Sequence, residues 1–539
     1  MADKQHIEIM APAGNFECLM AAIQGGADSV YFGVGNLNMR SHSANNFTNE
    51  DLKEVVRICK EHGVKTYLTL NIVVYQTEME EVRKALQAAR DAGISAVIAS
   101  DMAVIQMARQ LGIEIHISTQ MNISNFEAAK FYAQFADVIV LARELTLPQI
   151  ADISRKIREE NVCGPSGQLL RLELFVHGAL CMSISGKCYL SLQEYNASAN
   201  RGSCYQLCRR GYRVTDLETG RELDIENKYI MSPKDLCTIE FVDKIIEAGI
   251  SVFKIEGRAR SAEYVKIVTS AYRQAADACQ DTPASESAAN DASEATRKTS
   301  ASVSSTNAAS SNDNGSVSRT IAAESNANGS ASSTIAAENN ANGSANSTSA
   351  AECNANGSAS KTIAVENNAN GSANKTNAAE NNANGSANKT NAAENNANES
   401  ANASAVMGRF TPELKSQLKE RLSGVFNRGF WDGYYLGARL GEWSEVYGNK
   451  AARKKVYAAK VTNYFSKLGV AEVLVEAGEI NVGDEILIIG PSTGCIENKV
   501  AEIRVDLKPV QKAVKGDLCS IPIAEKLRRS DKLYIWQPA

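Results

Sequence analysis

Histidine is scarce in this chain: 5 residues in 539, at His6, His42, His62, His116 and His177. None belongs to a His-Glu-x-x-His pair, which would present two imidazoles to a catalytic zinc, and no Gly-x-Ser-x-Gly elbow exposes a nucleophilic serine. Proteolysis by either device is excluded. Also missing is any run of the roughly 20 apolar residues that a membrane-spanning helix requires. The opening stretch MADKQHIEIMAPAGN goes directly into a short apolar strand, without the basic start and long hydrophobic core of a secretion signal. A cytoplasmic protein without a membrane partner is therefore expected. There is no large surplus of one charge either. The net charge of −5 does not announce a nucleic-acid binder, although residues 407–539 carry 21 Lys and Arg against 16 Asp and Glu. That mildly basic end could help hold a polyanion, but on charge alone a solvated surface is the favoured reading.

What the chain does have is alternation. Short apolar runs at 6–10, 29–33, 65–73, 96–100, 114–119, 137–142, 171–178 and 252–257 are separated by stretches with helical spacing, such as NEDLKEVVRICKEHG. Strands buried on both faces and alternating with helices imply parallel βαβ units. Eight of them in about 270 residues match a (β/α)8 TIM-like barrel, with a doubly wound open sheet as the alternative. In a barrel the site lies at the carboxyl ends of the strands. Polar residues gather at those ends: Asn15, Asn36, Arg40, Asn71, Ser100, Asp101, Ser118, Gln120, Asn122, Arg143, Glu144, His177, Glu256 and Arg258.

Four regions follow: the barrel over 1–279, an insertion over 280–407, a helix and aromatic Gly-rich connector over 408–453, and a small C-terminal antiparallel β-barrel over 454–539. In the insertion GSANKTNAAENNAN repeats almost unchanged at a 14-residue spacing. It is nearly all Asn, Ala, Ser, Gly, Thr and Glu, too polar to offset the cost of ordering, so disorder is expected.

Cysteine is present in number, 12 in all. In a reducing compartment clustered thiols more often bind metal or do chemistry than form disulfides. Cys181 and Cys188 have six residues between them, and Cys204 and Cys208 have three. Zinc sites usually pair cysteines two to four residues apart, which suits only the second pair. An iron–sulfur cluster tolerates irregular spacing, and buried inert thiols are the third reading. Cys237, in MSPKDLC, is a spare ligand.

ELFVHGALC with SGKCYLS, MAPAGNFECLMAAIQGGADSVYFG, SPKDLC, KIEGRARSAEYV and NRGFWDG resemble peptidase family U32, the collagenase-like proteins, over all but the insertion. Within that family the motifs resemble those of the tRNA-hydroxylation proteins. The resemblance implies a barrel with an oxygen-sensitive 4Fe–4S cluster on Cys181, Cys188, Cys204 and Cys208, with Cys237 as alternate. It further implies O2-independent hydroxylation of an RNA base. The expected reaction forms 5-hydroxyuridine at the tRNA wobble position, with prephenate as oxygen donor and an electron donor left open. Hydroxylation of 23S rRNA or of a quinone precursor are alternatives. So is the older peptidase label, whose nearest candidate here is a Cys181–His177 thiolate pair, a use that would compete with cluster ligation. Some family members work in pairs, so the chain is alternatively a homo- or hetero-oligomer whose partner supplies the chemistry.

Arg143, Lys254 and Arg258 are expected to hold the carboxylates of a small dianionic donor. Glu144 and Glu256 are placed beside them, where internal salt bridges are the competing reading. Arg40, Asn71, Gln120 and Asn122 are expected to meet substrate, although strand-end amides as often cap loops. His177 is expected to orient substrate or hydrogen-bond cluster sulfur, unless it is packed beneath the loop.

Overall fold

The computed structural model describes residues 6–41, 45–222, 229–280, 410–437, 441–446 and 448–539, together with two-residue strands at Ser325–Asn326 and Asn339–Asn340. The remainder of the expected disordered insertion lies outside the described residues.

Among those residues eight parallel strands close a barrel: β1 (Glu8–Pro12), β2 (Ser29–Gly33), β3 (Lys65–Leu70), β4 (Ala96–Ala99), β5 (Glu114–Ile117), β6 (Val138–Val140), β7 (Arg171–Gly178) and β9 (Val252–Ile255). Each pairs with the next, and β9 closes the ring against both β1 and β7. The strands are buried on both faces, which is why they read as continuous apolar runs. All eight expected strands are present. Between them lie amphipathic helices. In α2 (Leu52–Glu61), Leu52, Val55, Val56 and Cys59 form one buried stripe. Two of the polar strand-end residues serve the helices: Asn15 and Asp101 cap α1 (Phe16–Gln24) and α4 (Met102–Gln110) through their side-chain oxygens.

A short strand that the sequence pattern did not suggest, β8 (Asp235–Cys237), runs antiparallel to the end of β7. The stretch expected as a connector is part of the barrel. Helix α10 (Pro412–Ser423) packs on α9 (Ala262–Gln280), with Leu418 and Leu422 buried in the barrel's core, and Phe430–Trp431 pairs with β8. Helix α9 starts beside the carboxyl ends of the strands, where Tyr264 donates to the Glu256 carbonyl at 2.9 Å. It ends near their amino ends, where Arg273 reaches the Ile7 carbonyl at 3.1 Å and Asp28 at 2.9 Å.

The C-terminal region forms an eight-stranded antiparallel sheet, with Arg453–Phe465 as its longest strand, around a core of its own. It is fastened to the barrel through Gln24, whose side chain bonds the Thr493 carbonyl at 2.8 Å and the Cys495 N–H at 2.9 Å. No helix among the described residues is long and apolar enough to cross a membrane.

Candidate active site

The barrel's interior is ionic where most barrels are apolar. Glu8 accepts from Arg171 at 2.9 Å, Tyr67 at 2.7 Å and Ser29 at 2.8 Å. Higher up, Glu173 is paired with Lys254 at 2.5 Å and lies 3.7 Å from the fully buried His116, whose other nitrogen meets Glu114 at 3.3 Å. Burial alone would raise the Glu173 carboxyl, but Lys254 and His116 hold it below its usual range. Burial likewise works against a charged His116, and the two flanking carboxylates override it and raise its pKa. This row leads to Lys254, which forms part of the floor of a cavity of about 230 Å³ at the carboxyl mouth.

The cavity roof is the long loop after β7, and it carries Cys181, Cys188, Cys204 and Cys208. All four line the cavity, and no disulfide joins any cysteine among the described residues. The loop's path depends on two glycines. Gly178 has φ +106°, and a Cβ there would meet the Glu256 carbonyl at 2.5 Å; Gly186 has φ +71° and sits against the Gln120 side chain. Arg209 ties the loop down, donating to the carbonyls of Leu180 and Pro233, each at 2.5 Å. Burial raises the Cys208 thiol to about 11, with Cys181, Cys204 and Cys188 adding to the shift and Arg209 opposing it. Cys188 is raised by burial, then by Cys181 and Cys204. The four sulfurs thus lie within electrostatic reach of one another.

No three His, Cys, Asp or Glu side chains among the described residues are close enough to share one metal ion. Four thiolates on one tetrahedral zinc must stand within about 4 Å of each other. A four-iron cage takes its thiolates at corners, farther apart. The donor set, four thiols lining one cavity, is of the kind that an iron–sulfur cluster takes. Cys237 does not belong to it: it is buried in β8, away from the cavity, where the Tyr272 hydroxyl is its neighbour.

Seven cationic side chains line the same space: Arg40, Arg143, Arg209, Lys254, Arg258, Arg260 and Arg428. Three are matched by carboxylates: Arg40 by Glu256 at 2.9 Å, Lys254 by Glu173, and Arg428 by Asp235 at 3.1 Å. Among the described residues the other four form no direct ion pair, although Glu256 is within electrostatic range of Arg258 and Arg260. Arg258 is 5% exposed and donates to Asn38 at 3.0 Å and Thr69 at 2.9 Å. Burial lowers its pKa to about 10, which leaves it cationic at neutral pH. Arg143 donates to the Ser185 hydroxyl at 3.0 Å, and its buried Nε has no partner. Arg260 lies 3.5 Å over the Phe426 ring. Burial works to raise the Glu256 carboxyl, but Arg40, Arg260 and Arg258 hold it below its usual range. A cavity so strongly positive is built to receive negative charge.

The structure brings together the four cysteines with Arg40, Asn71, Gln120, Arg143, Lys254, Glu256 and Arg258. It does not bring in four other expected residues. Glu144 is exposed and outside the cavity, so the expected Arg143–Glu144 pair is not formed. Asn122 caps the loop, donating to the carbonyls of Gln120 at 2.8 Å and Ser185 at 3.1 Å. His177 is buried behind the cavity among Tyr264, Tyr272 and Phe430, and burial lowers its pKa to about 3, so it is no partner for a Cys181 thiolate. Cys237 is the fourth. Sequence spacing missed Arg260, which lies two positions beyond Arg258, and Arg428, which is brought in from beyond the insertion.

The comparisons with known proteins bear on this geometry. The model of "Peptidase family U32" matches residues 14–316. A protein named "Collagenase" from Porphyromonas gingivalis is 44% identical over 98% of this chain and 97% of its own length. "tRNA hydroxylation protein P1" from Bacillus subtilis is 37% identical over 51% of this chain and 64% of that protein. "23S rRNA 5-hydroxycytidine C2501 synthase" from Escherichia coli is 36% identical over 50% and 39%. On the family match and the near full-length identity, this chain belongs to peptidase family U32.

Proposed function

We propose that this chain hydroxylates a base of RNA, forming 5-hydroxyuridine at the tRNA wobble position, with an iron–sulfur cluster held by Cys181, Cys188, Cys204 and Cys208 and prephenate as the oxygen donor. One observation carries the reading: four thiols and seven cations share one cavity at the mouth of a parallel barrel. The relatives named for tRNA hydroxylation and rRNA hydroxycytidine synthesis support it. When bound, the cluster would supply one-electron chemistry beside the cavity.

The chain's own residues set the stage for that chemistry. Arg143 and Arg258, neither in a direct ion pair, offer forks for the two carboxylates of a dianion. Glu173 fixes the Lys254 Nζ in the cavity floor, at 2.5 Å. Arg40, fixed by Glu256, and Asn71, fixed by Ser118 at 3.2 Å, line the side where a base would enter. Gln120 lines the cavity as well, with its amide oxygen buried against Gly186.

The deciding experiment is mass spectrometry of nucleosides from tRNA and rRNA of a strain lacking the gene. Loss of 5-hydroxylated nucleosides, restored by the wild-type chain but not by Cys181→Ser, is the expected outcome. An unchanged profile in both pools would end the RNA reading. The relative named "Collagenase" keeps a peptidase as the second reading, and gelatin cleavage abolished by Cys181→Ser would favour it.

A further inference from the structure

We propose that the exposed rim of the cysteine loop is a docking platform for a single-stranded RNA loop, with unpaired bases stacking on Tyr189 and Tyr205 beside the base that enters the cavity. This rests on the RNA-modifying reading of the site and names the surface that presents the substrate to it.

Tyrosine rings ordinarily bury their faces. Here Tyr189 is 68% exposed and Tyr205 58%, and each directly follows a cysteine that lines the cavity. Tyr195, 44% exposed, stands with its ring centroid 5.1 Å from that of Tyr205, and Arg210 lies over it at 5.6 Å. The backbone beneath these rings is fastened, the Tyr205 N–H donating to the Ser191 hydroxyl at 3.0 Å. Residues 181–213 carry five Lys and Arg against a single Glu; Arg201 and Arg213 pair with Glu78 and Glu222 and Arg209 is bonded to backbone carbonyls, while Lys187 and Arg210 stand exposed on the rim. Solvent-facing rings interleaved with cations on a positive loop are how proteins hold unpaired nucleic acid, since every base offers a π-face and every nucleotide a phosphate. A duplex keeps its base faces stacked on one another and offers none to the rim.

The test is fluorescence anisotropy of the full chain with an RNA hairpin bearing a seven-nucleotide loop and with a blunt duplex of equal charge. Removing one stacking ring should weaken hairpin binding roughly 10-fold in Tyr189→Ala and in Tyr205→Ala. Tyr189→Phe and Tyr205→Phe should retain it, and duplex affinity should not change in any variant. Iron content and melting temperature equal to wild type show that the loop is intact. If Tyr189→Ala loses iron, Tyr205→Ala and the two Phe variants decide the matter. The platform is overturned if the alanine variants bind the hairpin as tightly as wild type, if hairpin and duplex affinities fall together, or if gelatin is the ligand whose binding needs the tyrosines. Alanine variants that bind normally in a chain that still makes 5-hydroxylated nucleosides would remove the platform and leave hydroxylation standing. A wild-type chain that neither binds the hairpin nor modifies RNA would remove both.

Discussion

His177 is held neutral by its surroundings, and that makes it an acid-sensitive point in the fold. Its ring lies among three aromatic side chains, and burial, with Arg260 nearby, brings its pKa to about 3. In the unfolded chain a histidine titrates near 6.5. Between those values the unfolded state binds the extra proton, so stability falls as pH drops from about 6.5 towards 3, by as much as roughly 5 kcal/mol for this one group. Urea titrations from pH 7 to pH 4 should show a shallower loss for His177→Phe than for wild type; equal slopes would mean that the imidazole is not buried as described. The sequence put a histidine at the end of a strand beside a cysteine, which looks reactive. Whether such a ring faces the cavity or the core turns on a register that Tyr264, Tyr272 and Phe430 impose from far along the chain. The cysteines were easier to read, because four of them on one glycine-bearing loop have little else to do than converge. Arg143, Lys254 and Arg258 were legible as cations at strand ends, but their partners were not: Lys254 pairs with Glu173 from inside the barrel rather than with Glu256 two positions away.

At the level of elements, all eight barrel strands could be read because burial on both faces leaves an apolar run that no polar face interrupts. Strand β8 could not, being three residues long and antiparallel. Helix α10 was legible as a helix but not as part of the barrel, since its partner α9 lies on the other side of the insertion. Its apolar face is specific all the same: Leu422 is fully buried in the same core as α9. Leu422→Ala should therefore cost about 2–5 kcal/mol, the range for a buried leucine emptied to a methyl. Chemical denaturation measures it, and a cost below about 0.5 kcal/mol, as for a surface site, would return 408–453 to the role of a mere connector.

For the molecule as a whole, the barrel and the C-terminal sheet form one unit built from the two segments that flank the insertion, with 283–407 a separate unit. Joining α9 to α10 by a short linker in place of residues 285–400 should leave the melting temperature of the barrel nearly unchanged, because closing a loop costs only slowly more with length. A large drop in calorimetry would mean that the removed residues contribute to the core. The two helices run antiparallel: Arg421, near the end of α10, bonds Ser270 and Gln274 of α9, each at 2.9 Å, while Cys279, at the other end of α9, feels Lys415. Gln280 and Phe410 therefore leave and re-enter at the amino-end pole of the barrel, opposite the cavity. In engineering terms that junction is a port. A fluorescent or affinity domain spliced there would be anchored at the far pole from the cysteines, and the chain could be immobilised or imaged while its mouth stayed open to whatever it binds.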